Sequence, residues 1–186
     1  SVQGLEFATD LVRASDVLLE NFGAGVLDRL GLGYDAMQEI NPSLVYCALK
    51  GFLSGPYEQR AALDEVVQMM GGLAYMTGPK GHPLRVGASV NDVMGGLFGV
   101  IAIQAALWER QRTGKGTFVR SGLFENNMFL VAQHMVQYRQ TGVPAAPMPD
   151  RVSAWAVYDV FETADEERIF IGVVSDKQWA QFCTAF

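Results

Sequence analysis

The chain has 186 residues, 49% hydrophobic and 18% charged, with a formal net charge of −6. That is a globular composition with enough apolar material for a core, and its acidity excludes nucleic acid as the main partner, because phosphate backbones need a basic face. No signal peptide, lipidation motif or metal-ligand spacing is present, so the chain reads as cytoplasmic, with no membrane contact, and with Cys47 and Cys183 as reduced core fillers.

The first elements alternate. Residues 5–14 carry a helical pattern, 16–19 form a short buried strand, and 21–25 form a loop. Short helices follow at 26–30 and 34–40, then a second strand at 44–49. Strands separated by helices pair in parallel in a sheet covered on both faces. The expected class is therefore α/β, a partial open parallel sheet with flanking helices.

Residues 54–63 form a loop carrying Gly55-Pro56, and 64–74 a helix with Met69 and Met70 near its buried side. After a turn-rich stretch at 77–83 comes a long helix from Asp92 to Arg112, capped by Gly114 and carrying Arg110 and Arg112 in its last turn. Its most apolar part, 93–108, is too short and too glycine-rich to span a bilayer and suits a buried core helix. A strand at 117–121 and a helix at 123–140 complete this part. The irregular segment with Pro144, Pro147 and Pro149 marks a boundary, and 156–161 and 168–174 form a hairpin closed by the acidic TADEE turn. These features divide the chain into a large domain at 1–142, a linker at 143–155 and the start of a smaller α+β domain at 156–186. Both ends lie within helical patterns, as expected for an internal piece of a longer protein.

The most informative residue is Asp92. It stands at the mouth of the long apolar segment, with Gly95, Gly96 and Gly99 just behind it. Asn91 or Asp92 suits the helix cap, which is the ordinary use of such residues. Yet each glycine inside a helix costs up to about 1 kcal/mol relative to alanine, so three within two turns need a reason. Close packing against another helix is one, and close approach of a ligand to an accessible carboxylate is the other.

Elsewhere the residues are less specific. His82 and His134 have no acidic or thiol neighbours at ligand spacing, so no metal is expected. No phosphate loop or nucleophile elbow is present. Lys50, Arg29 and Arg85 sit beside glycine-containing loops and are candidate anchors for phosphate or carboxylate, or simply solvated charges.

Two stretches carry a resemblance. The segment from Asp16, with NFGAGVLDRLGL and the strand LVYCALKGF, is similar to one signature of the class III CoA-transferases, the family of formyl-CoA and carnitine CoA-transferases. The pattern V-G-x4-D-x3-G followed by A-A-L-x-E-R-x2-T-G-x-G, from Val86 to Gly116, resembles the second. The resemblance implies a Rossmann-like large domain and an interlocked homodimer. It implies no permanently bound cofactor: coenzyme A enters as a thioester substrate, with a carboxylic acid as its partner. Asp92 becomes the nucleophile, which attacks the acyl-CoA thioester to form a mixed anhydride and then an aspartyl-CoA thioester. Asn21, Phe22, Gly23 and Arg29 would contact CoA, with Lys50 near the same groove. Ala24 stands where the family has proline.

The related α-methylacyl-CoA racemases place a histidine directly before the aspartate aligned with Asp64. Here that place is Leu63, which removes one of the two bases a proton shuttle needs. FENNMFLVAQHMVQY and PMPDRVSAWAVYDVF resemble the intramolecular mesaconyl-CoA transferases, with Arg85 or Arg151 available for a free carboxylate. A non-catalytic homologue would be expected to lose Asp92 or the loop at 21–25, and both are present.

Overall fold

The sequence VYCALK, apolar for five residues and ending in lysine, forms the middle strand of a parallel sheet, buried on both faces as such runs are. The computed structural model describes all 186 residues, in two units, Ser1–Pro149 and Asp150–Phe186. The first unit runs α1 (Val2–Arg13), β1 (Val17–Glu20), α2 (Val26–Arg29), α3 (Tyr34–Ile40), β2 (Val45–Lys50), α4 (Asp64–Met70), α5 (Leu73–Thr77), α6 (Val90–Thr113), β3 (Phe118–Gly122) and α7 (Leu123–Thr141). The strand order is β1-β2-β3, with Leu18 opposite Tyr46 and Tyr46 opposite Phe118.

Alternation along β2 assigns its two faces. Tyr46 and Ala48 join Val12, Met37 and Leu44 in the core under α1 and α3, where the Tyr46 hydroxyl donates to the Leu32 carbonyl at 3.1 Å. Each such buried aliphatic side chain is worth about 1.5–3 kcal/mol. Cys47 and Leu49 point the other way, toward α6. A Cβ added at Gly99 would stand 2.8 Å from Leu49 Cδ2 and one at Gly95 3.3 Å from Leu123, so these two glycines let the helix lie close to its neighbours. At the far end Arg110 donates to the Ser43 carbonyl at 3.1 Å and pairs with Asp16 at 2.8 Å. The helix therefore runs antiparallel to the strands and brings its N-terminus to their carboxyl ends.

Several expectations are corrected. The helix expected at 64–74 breaks at Gly72, whose φ of +82° ends α4 and starts α5. Gly71 sits so close to Asn127 that a Cβ there would lie on its amide. Met69 and Met70 are exposed, and α4 instead buries Asp64, Val67 and Gln68. Helix α6 begins at Val90, and only Asn91, Gly95, Gly99 and Ala106 are buried, a single line along the sheet rather than a helix buried all round. The helix is 24 residues long and contains an 18-residue stretch with a mean hydropathy of 1.5, long and apolar enough to cross a membrane by length and composition. Cys183 is exposed, so Cys47 alone is a core filler.

The second unit holds the antiparallel pair β4 (Tyr158–Glu162) and β5 (Arg168–Gly172), followed by α8 (Asp176–Ala185), which Ser175 caps by accepting from Gln178 N–H. The hairpin turn places Glu166 at φ +65°. The boundary between the units falls inside the 143–155 segment.

Candidate active site

The loop after β1 is tied down through Phe22. Glu20, buried at the end of β1, accepts the Phe22 N–H at 2.9 Å. It also pairs with Lys50 Nζ at 2.6 Å, and Lys50 in turn donates to the Phe22 carbonyl at 2.6 Å. Both main-chain groups of Phe22 are thereby fixed by an ion pair that is buried on the Glu20 side and partly buried at Lys50. Asn21 and the Phe22 ring face solvent. Gly23 has room for a side chain, its nearest neighbour being Val26 at 3.8 Å. Gly25 does not: its φ is +69°, and Arg29 Nη1 stands 3.2 Å from where a Cβ would be. Arg29 is exposed and forms no ion pair. Beside the loop opens a cleft of about 360 Å3, lined in part by Ala24, Gly25, Tyr46, Lys50, Phe118 and Arg120.

The other half of the site is the start of α6. Ser89 precedes the helix but makes no side-chain cap bond, and neither Asn91 nor Asp92 is the cap. The acceptor comes from α4, where Asp64 Oδ1 takes the Asn91 N–H at 2.8 Å. Asp64 Oδ2 accepts from Gln68 Nε2 at 2.6 Å, and Gln68 Oε1 takes the Val86 N–H at 2.7 Å. Val90 N–H reaches the Ala88 carbonyl and Val93 N–H the Ser89 carbonyl, which leaves the Asp92 N–H as the unbonded donor of the first turn. The Asp92 side chain faces solvent. One turn on, on the same face, an added Cβ at Gly96 would meet nothing within 4 Å.

Partial desolvation raises the Asp92 carboxyl above its ordinary value, and the negative charges of Asp64 and Glu65 push the same way. Arg85 opposes them. Its guanidinium is already engaged, bonded to Glu65 and 3.8 Å from Asp64, and so makes a poor clamp for a substrate carboxylate. Burial, then the charge of Glu20, pushes the Cys47 thiol up, so it stays protonated and inert.

Parallel sheets bind ligands beyond the carboxyl ends of their strands. Asn21, Phe22, Gly23 and Arg29 follow the end of β1, and Lys50 ends β2. Asp92 lies near the end of β3, where Ser121 Oγ donates to the Gly95 carbonyl at 2.8 Å. Asn21, Phe22, Gly23, Arg29, Lys50 and Asp92 thus lie toward one edge of the sheet, whereas Arg151 belongs to the second unit. Sequence reasoning missed Glu20, and it missed Gln68 and the capping role of Asp64. The available signal was two polar residues four apart on a helix whose remaining buried position is Val67. Among the described residues no group of three or more metal-ligating side chains occurs.

The family model described as CoA-transferase family III matches residues 1–186. An acetyl-CoA:oxalate CoA-transferase of Acetobacter aceti is 39% identical over 84% of the chain and 41% of its own length. A succinate–glutarate CoA-transferase of Agrobacterium fabrum is 34% identical over 97% of the chain and 46% of its own length. The crystal structure of a CAIB/BAIF family protein from Brucella suis superposes on the whole chain with a TM-score of 0.88 at 36% identity, covering 49% of that structure. The chain thus spans less than half the length of the curated relatives it matches. With the family model matched from end to end and the parallel sheet shared with solved relatives, this chain belongs to CoA-transferase family III.

Proposed function

We propose that this chain carries the nucleophile and part of the coenzyme A groove of an enzyme that moves CoA between two short carboxylic acids. An Asp92 carboxylate oxygen attacks the thioester carbonyl, the C–S bond breaks, and CoA leaves as thiolate, giving a mixed anhydride. The thiolate then attacks the aspartyl carbonyl and releases the donor acid, leaving an aspartyl-CoA thioester. The acceptor carboxylate repeats the two steps in reverse, so no proton or electron is consumed. A carboxylate is a weak nucleophile, and the site answers with positioning and partial desolvation. Only the Asp92 N–H of the first turn is spare for developing charge, so further oxyanion donors come from outside this turn.

Arg29, exposed and unpaired, suits a CoA phosphate, and the bare Phe22 ring offers a face for the nucleobase. Asn21 and Gly23 complete the contact surface. Lys50 serves the same groove by fixing the loop, since its charge is taken by Glu20. The relatives' names carry three short dicarboxylates, oxalate, succinate and glutarate, beside the acetyl group of the acetyl-CoA donor. We extend that class to this chain, with mesaconyl-CoA as the specific donor suggested by the segments at 124–138 and 147–161. The working unit is an interlocked homodimer.

The observation that carries this reading is Asp92 itself: a solvent-facing carboxylate with a raised pKa and open backbone one turn away at Gly96. Asp92→Asn in the complete polypeptide that carries this sequence is expected to abolish CoA transfer and leave the circular dichroism spectrum unchanged. Retained turnover would remove Asp92 from the chemistry.

A further inference from the structure

Resting on the reading of Asp92 as nucleophile, we infer that Asp64 and Gln68 of α4 form a clip that reads the backbone of residues 86–91 and so sets the position of Asp92. The two side chains lie one helical turn apart, and both are buried, Asp64 at 3% exposure and Gln68 at 0%. Between them they engage three main-chain groups on the approach to α6. Gln68 Oε1 accepts the Val86 N–H at 2.7 Å, Gln68 Nε2 reaches the Ala88 carbonyl at 3.4 Å, and Asp64 Oδ1 accepts the Asn91 N–H at 2.8 Å. The bond from Gln68 Nε2 to Asp64 Oδ2 at 2.6 Å fixes the amide orientation, so the carbonyl end meets Val86 and the amino end meets Ala88.

Nothing local could do this. Ser89, the residue in the cap position, makes no cap bond, and the first turn of α6 would otherwise leave the Asn91 N–H unsatisfied. An anionic acceptor at a helix N-terminus is also favoured by the helix dipole. Asp92 directly follows the clamped Asn91. Loosening Asn91 would let the carboxylate wander, and misplacement of about 1 Å can cost about 100-fold in rate. The clip acts through backbone groups and touches no reacting atom, which makes both residues positioning residues.

Asp64 has a second effect that packing alone would not produce. The charged groups acting on Asp92 are Asp64 and Glu65 from α4 and Arg85 from the segment before α6. Removing the Asp64 charge therefore lowers the Asp92 pKa and moves the acidic limb of kcat/KM to lower pH.

The test uses the complete polypeptide with succinyl-CoA and mesaconyl-CoA. It follows single-turnover labelling of Asp92 by hydroxylamine trapping, together with the steady-state constants. Gln68→Ala removes three of the four bonds and is expected to slow Asp92 labelling about 10- to 100-fold, with acyl-CoA KM held within about twofold. Asp64→Asn keeps an oxygen acceptor for Asn91 N–H. Its new amide nitrogen faces Gln68 Nε2, donor against donor, so the bond that orients Gln68 is lost and Asp92 labelling is expected to slow at every pH, with the acidic limb also shifted downward. Asp92 labelling at the wild-type rate in Gln68→Ala or in Asp64→Asn overturns the clip while leaving Asp92 labelled. Absence of any Asp92 label in the wild type overturns the nucleophile reading instead. Should Gln68→Ala fail to fold, the labelling rate of the isosteric Asp64→Asn variant decides.

Discussion

The character of Asp92 is set by three charges and one buried clip. Arg85 is the single cation acting on it, and it lowers a carboxyl that desolvation, Asp64 and Glu65 all raise. Arg85→Met removes that opposing influence, so the Asp92 pKa rises further and a larger fraction is protonated at any given acidic pH. The acidic limb of kcat/KM is therefore expected to move to higher pH, with the plateau at high pH retained. A limb that stays put or moves down would show that Arg85 does not act on the nucleophile. Asp92 stood out in the sequence because three glycines follow it on an apolar helix, and two of these, Gly95 and Gly99, serve close packing on Leu123 and Leu49. What holds it was not legible. The capping acceptor lies 27 residues upstream, and a side-chain bond across that separation leaves no periodic trace.

At the level of elements, the glycines divide by what surrounds them. A Cβ at Gly116 would stand 1.9 Å from the Leu44 carbonyl oxygen, against backbone that cannot swing aside. Gly116→Ala is expected to destabilise the first unit by about 1–3 kcal/mol or more, as overpacking does. At Gly96 an added Cβ meets nothing, so Gly96→Ala is expected to gain up to about 1 kcal/mol from helix propensity. Urea unfolding checks both, and equal effects at the two positions would contradict the packing described here. Strand β2 and the length of α6 were legible because residue type and periodicity state them directly; β1 was legible in position but not as the buried strand expected, since Leu19 is exposed and only Glu20 is buried. The break between α4 and α5 was not, because it depends on how closely Gly71 meets Asn127 on α7, a contact between distant parts of the chain.

At the scale of the whole molecule, the bare apolar surface calls for an explanation. Along α6 the line through Asn91, Gly95, Gly99 and Ala106 meets the sheet, while Val93, Leu97, Ile101 and Trp108 form a second stripe that stays exposed, Trp108 at 75%. A helix apolar on both sides is normally covered on both, and an exposed stripe of this extent marks an interface. The proposed homodimer would cover it. Trp108→Glu is accordingly expected to weaken self-association at least about tenfold by burying an unpaired charge, as read by sedimentation equilibrium. An unchanged association constant would place the dimer contact elsewhere. No periodicity in the sequence separates this stripe from the core-facing line, since both consist of small and apolar residues.

The central claim is that Asp92 becomes acylated. The complete polypeptide, incubated with mesaconyl-CoA or succinyl-CoA, quenched with hydroxylamine and mapped by mass spectrometry, is predicted to carry a hydroxamate on Asp92 and on no other acid. A complete absence of label, together with exchange of the substrate's α-proton into solvent, would contradict the account and point to isomerase chemistry.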